Sequence, residues 1–265
     1  MLRFKKSLGQ NFLINKNIIN KISQLDCIQD QNIFEIGPGS GNLSDIIAIQ
    51  KPKSFFMIEK DQGLCNLLKK KYNQNENFKI FNDNILKYDL ENYKFKNVII
   101  FGNLPYNIST QILAKFIKIK TWPPFYKKII FMFQKEVADK ILAKSKTNEF
   151  GRITILSNYR LEIIDSFKIS KEDFFPKPKV DSKVIVFKPK RAIKFKITNI
   201  ENLEKITQVF FSSKRKMINK ALKKIFKNYK DIAHMLNINL NSRPSDLSPE
   251  IYFKLTEIFE KNTKA

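Results

Sequence analysis

One histidine, one tryptophan and two cysteines in 265 residues exclude several kinds of chemistry before any motif is read. A single imidazole, His234, cannot build a histidine-rich metal centre; beside Met235 and Leu236 it reads as a packing or surface residue rather than an acid-base group. Cys27 and Cys65 are too few and too unpatterned for a disulfide framework or a zinc site, so the chain reads as intracellular and no metal is expected. No apolar run approaches the roughly 20 residues that cross a bilayer, and the N-terminus lacks a signal-peptide pattern. A cytoplasmic protein with no membrane contact follows. No conspicuous dimerisation stripe is present, and a monomer is expected.

Acids are scarce as well. The 25 acidic residues face 49 basic ones, a formal charge of +24 with a pI near 9.9, which is the footprint of a polyanion binder. The chain is crowded with Lys, Ile, Asn and Phe, a bias that a skewed genome also produces, so placement matters more than the total. Two acid-free clusters stand out. Lys188 to Lys196 carries five basic residues and one proline. Lys214, Arg215, Lys216, Lys220, Lys223, Lys224 and Lys227 crowd a second stretch that reads as a basic helical face beside the apolar stripe Ile206, Val209, Phe210, Met217, Ala221 and Ile225.

From Asn32 short apolar runs alternate with helical patterns, the signature of a parallel sheet with crossover helices. The spacing predicts strands at Ile33 to Ile36, Phe55 to Ile58, Phe78 to Phe81, Val98 to Phe101 and Ile129 to Phe133. Glu162 to Ile169 and Lys183 to Phe187 are expected to pair antiparallel at the sheet edge. Helical faces are set by Leu64, Leu67 and Leu68, and by Ile112, Leu113, Phe116 and Ile117. After the Lys188 to Lys196 linker the pattern turns wholly helical, so an α/β domain over 1–190 and a helical domain over 191–265 are expected.

Three of only seven glycines fall at 37, 39 and 41, where the chain leaves a predicted strand and enters a helix near Asn42. Glycines there permit positive φ and close approach of the backbone to a ligand at a helix N-terminus. Glu59 ends the second strand, where a carboxylate can accept both ribose hydroxyls of a nucleoside, and Asp83 ends the third, placed to accept an adenine amino group. Pro38, and Asn42 in place of a third glycine, weaken a pyrophosphate-binding reading. The ordered set of glycine turn and two strand-end acids points to a nucleoside cofactor.

After the fourth strand come Gly102, Asn103, Leu104, Pro105, Tyr106 and Asn107. Pro105 biases Leu104 toward extended backbone, which turns the Asn103 side chain and the Leu104 carbonyl toward one cavity. An adenine N6 amine is a poor nucleophile with two N–H donors. Two acceptors holding those donors out of the ring plane localise its lone pair toward a methyl sulfonium, and Tyr106 offers a stacking face to a base taken out of its own stack. No general base is required, because the amine becomes acidic only after gaining the methyl group; catalysis is mostly positioning.

Lys6, Ser7, Leu8, Gly9, Gln10, Asn11, Phe12 and Leu13, then the glycine turn, then Asn103 to Tyr106 with Asn107, Ile108, Ser109 and Thr110, resemble the ribosomal RNA adenine dimethyltransferase family, with the bacterial small-subunit (16S) branch the closest match. Phe174, Pro176, Pro178, Val180 and Ser182 fit its Phe-x-Pro-x-Pro-x-Val-x-Ser segment, and Arg243, Pro244, Leu247 and Ser248 its C-terminal signature, so nearly the whole chain is covered.

The resemblance implies a Rossmann-like class I methyltransferase domain, a mostly parallel seven-stranded sheet, with a small all-helical C-terminal domain. It implies S-adenosylmethionine as cofactor, contacted by Asn11, Leu13, Gly37, Glu59, Asp83 and Asn103. Asn103, Leu104, Pro105 and Tyr106 would hold the adenine, with Phe174 on its other face; Phe175 doubles the aromatic at that point of the motif. The implied substrate is two adjacent adenines in the 3'-terminal hairpin loop of 16S rRNA, dimethylated in the immature small subunit. From the placement of charge, the Lys188 to Lys196 linker and the Lys214 to Lys227 helix are expected to grip its backbone, with Lys214, Arg215, Lys216, Lys220 and Arg243 as the contacts. Three other readings remain at this point: a large-subunit enzyme of the macrolide-resistance type, a DNA adenine methyltransferase, and a small-subunit assembly factor that uses methylation as a release signal.

Overall fold

The computed structural model describes residues 10–91 and 93–264; Lys6, Ser7, Leu8 and Gly9 of the N-terminal motif lie outside them. The chain runs β1 (Phe12–Leu13), α1 (Lys16–Ser23), β2 (Asn32–Ile36), α2 (Asn42–Ile49), β3 (Ser54–Glu59), α3 (Gln62–Lys71), β4 (Phe78–Asn82), β5 (Val98–Asn103), α4 (Ser109–Ile117) and β6 (Tyr126–Gln134). It continues through α5 (Lys135–Leu142), α6 (Arg152–Arg160), β7 (Leu161–Ile169), β8 (Phe174–Phe175), β9 (Ser182–Pro189), α7 (Ile200–Phe211), α8 (Asn219–Ile225), α9 (Tyr229–Met235) and α10 (Pro249–Lys264). No described helix is long and apolar enough to cross a membrane.

Seven strands form one sheet in the order β4-β3-β2-β5-β6-β9-β7. The ladders from β4 through to β6 are parallel, and β9 joins β6 antiparallel. This is the mostly parallel, Rossmann-like sheet expected, with the late strands at its edge. Its central strands β3, β5 and β6 are mostly apolar, buried runs because both faces are covered. Ile33, Phe55, Met57, Ile99 and Phe101 point into a core shared with Ile19 and Ile22 of α1, Ile47 of α2 and Leu68 of α3. Alternate residues point the other way, where Phe131 meets Phe116 of α4 edge-on at 5.8 Å and Phe34 packs against Tyr93 at 5.4 Å. A second, two-stranded ribbon pairs β1 with β8 antiparallel, placing Phe12 opposite Phe175 and Leu13 opposite Phe174.

The chain separates into two compact units. The first runs to Ala138 and resumes over Glu162–Pro189, and the second takes Asp139–Leu161 together with the chain from Lys190 onward. In the second, α7 packs on α10 and α6. Its buried Glu260 accepts the amides of Thr198 and Asn199, at 2.7 and 2.8 Å, at the start of α7. Tyr159 of α6 donates its hydroxyl to the Phe195 carbonyl at 3.0 Å.

The basic stretch in this unit is not one helix. Lys214, Arg215 and Lys216 sit in the turn between α7 and α8, and Lys220 lies on the short α8. Ser212 turns its hydroxyl back to the Val209 carbonyl at 2.8 Å, and the amide of Ile218 is taken by the Ser242 carbonyl at 2.9 Å. These bonds offer the backbone an alternative to continuing the helix. Arg215, Lys216, Lys220 and Arg243 are exposed, whereas Lys214 is half-buried and its ammonium reaches the carbonyl of Asn148.

Candidate active site

The strand order reverses between β2 and β5, and the carboxyl ends of strands on either side of such a switch are where open α/β sheets take ligands. A cavity of about 170 Å³ lies there, more than ten times what one water needs. Lining it are Asn11 and Leu13, the turn from Gly37 to Ser40, Glu59 and Asp83, and the run from Gly102 to Ile108. Every residue assigned from the sequence to the cofactor or to the base lines this cavity except Phe174.

The turn after β2 exists because glycine permits it. Gly37, Gly39 and Gly41 have φ of +65°, +61° and +87°. A Cβ on Gly39 would stand 2.5 Å from the Phe12 ring, so that ring packs where a side chain would otherwise be. Asn42 explains its own departure from a third glycine. Its amide donates to the Leu13 carbonyl at 2.7 Å, fastening the β1 arm to the turn.

Glu59 braces the same turn. It is 7% exposed, its Oε2 accepts the Gly39 amide at 3.1 Å and its Oε1 the Asp61 amide at 2.8 Å. Burial raises its pKa, and those backbone hydrogen bonds pull the other way. The Lys60 backbone adds a third such bond, so of the carboxylate's roughly four lone-pair sites about one is left for a ligand hydroxyl. Asp83 is exposed at the cavity rim, with one oxygen accepting the Asn84 amide at 2.6 Å.

Asn103 ends β5 with its amide nitrogen engaged, donating to the Asn11 carbonyl at 2.9 Å. The side-chain oxygen, an acceptor, is the end left to face a ligand. Gly102 before it is required by close packing, since a Cβ there would lie 2.7 Å from Leu104 and 3.1 Å from Phe131. Pro105 opens a turn closed by the Ile108 amide on the Pro105 carbonyl at 3.1 Å. Tyr106 is half-buried, and its hydroxyl lies 2.8 Å from that of Ser182.

Phe174 lies elsewhere. Its ring is 2% exposed in the core cluster with Leu13 and Val184, while Phe175 is 56% exposed. Strand alternation separates the two rings: Phe174 shares a face with its partner Leu13, and Phe175 shares the opposite face with Phe12.

Two lining or supporting residues carry little signal in the sequence. Ser182 stands there only as the last position of a motif. Glu35, inside β2, looks like an ordinary polar strand residue, yet it is 2% exposed at the cavity and accepts the Ser44 hydroxyl at 2.6 Å. Burial pushes its pKa from the ordinary 4.5 up to about 8; the Ser44 hydrogen bond opposes this, and the nearby Asp45 and Glu59 add to it. The fold therefore favours the neutral acid. The stability contributed by that preference is complete below the unfolded value near 4.5 and is lost as the pH rises through about 8. Glu35→Gln keeps an acceptor for Ser44 and carries no charge. Between pH 7 and pH 9 the melting temperature of the parent should fall further than that of Glu35→Gln. Parallel melting curves for the two would contradict the assignment.

The model of the ribosomal RNA adenine dimethylase family matches residues 1–261. A Pelagibacter ubique protein named ribosomal RNA small subunit methyltransferase A is 43% identical over 259 residues, covering 98% of each chain. The chain belongs to the ribosomal RNA adenine dimethylase family. Another similar protein of this name, from Malacoplasma penetrans, is 37% identical across 94% of the chain and 90% of its own length. Among solved structures, a Plasmodium falciparum dimethyladenosine transferase superposes with a TM-score of 0.76 at 24% identity, covering 96% of this chain and 98% of that one. The 23S rRNA methyltransferase ErmE superposes at 0.68 with 20% identity over 94% and 99%; at that identity the likeness speaks for the fold. The Rossmann-like domain expected from the sequence is the fold of this dimethylase.

Proposed function

We propose that the chain transfers methyl groups from S-adenosylmethionine to N6 of two adjacent adenines in the 3'-terminal hairpin loop of 16S rRNA, each becoming N6,N6-dimethyladenosine during small-subunit assembly. The observation that carries this reading is the meeting, in one cavity, of the glycine turn and its two strand-end acids with the Asn103 to Tyr106 run. Relatives named for the small subunit, matched over nearly their full lengths, support that substrate over large-subunit RNA.

The lining suits the cofactor: bare backbone at Gly37 and Gly39, a buried carboxylate at Glu59 with acceptor capacity left beyond its backbone bonds, and Asp83 at the rim. S-adenosylmethionine, when bound, supplies a methyl group on a positively charged sulfur. Glu59 would accept ribose hydroxyls, Asp83 the adenine amine of the cofactor, and the arm residues Asn11 and Leu13 would close over it. Toward the substrate, the Asn103 side-chain oxygen and the Leu104 carbonyl would accept the two N–H groups of the target amine while Tyr106 stacks on its ring. The bond from Asn103 to the Asn11 carbonyl keeps that oxygen turned the right way. We place Phe174 behind Leu13 in the cavity wall, where its ring supports the base site without touching it.

For the RNA backbone we assign Arg215, Lys216, Lys220 and Arg243, with Lys214 contributing less because its ammonium is engaged. Replacing Arg215, Lys216 and Lys220 by Ala should weaken RNA binding at all salt concentrations and flatten the plot of log affinity against log salt by about 0.7 to 0.9 for each phosphate no longer neutralised. Identical salt slopes would remove these residues from the interface.

The function is tested in a strain that lacks the modification. Expression of this chain should restore dimethyladenosine to small-subunit rRNA, and failure to do so in a strain shown to contain the folded protein would reject the proposal.

A further inference from the structure

Ser182 is the last residue of the Phe-x-Pro-x-Pro-x-Val-x-Ser segment, and the chemistry derived so far gives it nothing to do. It is wholly buried at the start of β9. The ladder pairs it with Gln134, and the neighbouring Asp181 carbonyl accepts the Lys135 amide at 2.9 Å, so its backbone is fixed on both sides. It does not line the cavity. Its hydroxyl meets that of Tyr106 at 2.8 Å, across 76 residues of sequence.

Tyr106 has its main chain secured by the turn from Pro105 to Ile108, and its carbonyl accepts the Ser109 hydroxyl at 3.2 Å. Those bonds fix the main chain and not the side-chain torsions of the half-buried ring. The bond at the phenol tip restrains its far end, and it comes from a strand whose position the sheet determines. A stacking platform must hold one plane if amine, methyl and sulfur are to stay in line, and a small misplacement costs rate rather than affinity.

We propose that Ser182 is a positioning residue that locks the Tyr106 ring in the plane on which the target adenine stacks, so that the segment ending at Ser182 acts on the substrate through Tyr106. This rests on the reading of Tyr106 as the base platform. A buried hydroxyl needs a partner whatever its role, so the test must separate orientation from simple satisfaction.

The experiment uses the full chain and undermethylated small subunits, comparing Ser182→Ala, Tyr106→Phe, the double variant and Tyr106→Ala. Either of the first two removes the tip bond and keeps a ring at 106. Each should lower kcat by roughly two- to tenfold, the scale of one hydrogen bond, with S-adenosylmethionine affinity unchanged. The double variant should be no slower than Tyr106→Phe alone, because the two changes delete the same bond. A further loss in the double variant, or a Ser182→Ala enzyme with parental kcat, would overturn the proposal while Tyr106→Ala remained severely impaired. If Tyr106→Ala methylates normally, the platform reading itself fails and the proposal fails with it.

Discussion

Asn103→Ala is expected to lower methyl transfer by at least roughly a hundredfold while weakening S-adenosylmethionine binding far less. The residue is asked to do two things. Its amide nitrogen holds the Asn11 carbonyl at 2.9 Å, and in the proposed mechanism its oxygen would take one N–H of the target amine. Losing the second function leaves the amine conjugated with its ring and off the line to the methyl group, and misplacements of about 1 Å cost on the order of a hundredfold. Asn103→Asp sharpens the test. It preserves an oxygen toward the cavity, but sets a second oxygen against the Asn11 carbonyl in place of the donor, so it should also loosen the β1 arm and raise the cofactor Kd. Single-turnover rates with cofactor titrations on both variants separate the two functions. If Asn103→Ala retained a rate within a few-fold of the parent, the acceptor role would be refuted.

The second large effect concerns Gly39. Alanine there places a Cβ 2.5 and 2.7 Å from the Phe12 ring at a φ of +61°, and a left-handed conformation alone costs an alanine roughly 1–2 kcal/mol. Relief requires moving either the turn, which breaks the Gly39 amide bond to Glu59, or Phe12, which displaces the arm. Gly39→Ala should therefore weaken S-adenosylmethionine binding by more than about tenfold, each 1.4 kcal/mol being a factor of ten. Adding Phe12→Ala removes the collision but not the backbone strain, so calorimetric titration of the double variant should recover part of the affinity. No recovery would mean that Phe12 is not what fills the space above Gly39.

The central strands were readable because burial on both faces makes them short, mostly apolar runs. Ile33 to Ile36, Phe55 to Ile58 and Val98 to Phe101 each sit inside the observed strand, which extends them by one or two residues. The Gly102 to Tyr106 run was readable because Pro105 has a fixed φ and holds Leu104 extended, while Gly102 marks a close approach that a side chain would block. Other features were hidden for physical reasons. Nothing local distinguishes Glu35 from an exposed strand acid; its burial is set by α2 folding Ser44 back over it. The Ser182 to Tyr106 bond and the Asn42 to Leu13 bond join residues 76 and 29 positions apart, and only the completed fold brings them together. The α6 segment joins the C-terminal helices through packing that leaves no periodic trace before Leu161. The basic stretch misled because lysine favours helices, whereas Ser212 and Ser213 form a turn between two of them.

The most direct test of the proposed activity is transfer of labelled methyl groups from S-adenosylmethionine to purified small subunits lacking the modification, followed by nuclease digestion and mass spectrometry of the nucleosides. N6,N6-dimethyladenosine should appear in the 3'-terminal fragment of 16S rRNA with the parent chain, and at about a hundredth of the parent's initial rate or less with Asn103→Ala. Label appearing only in large-subunit RNA or DNA, or an Asn103→Ala chain as active as the parent, would contradict it.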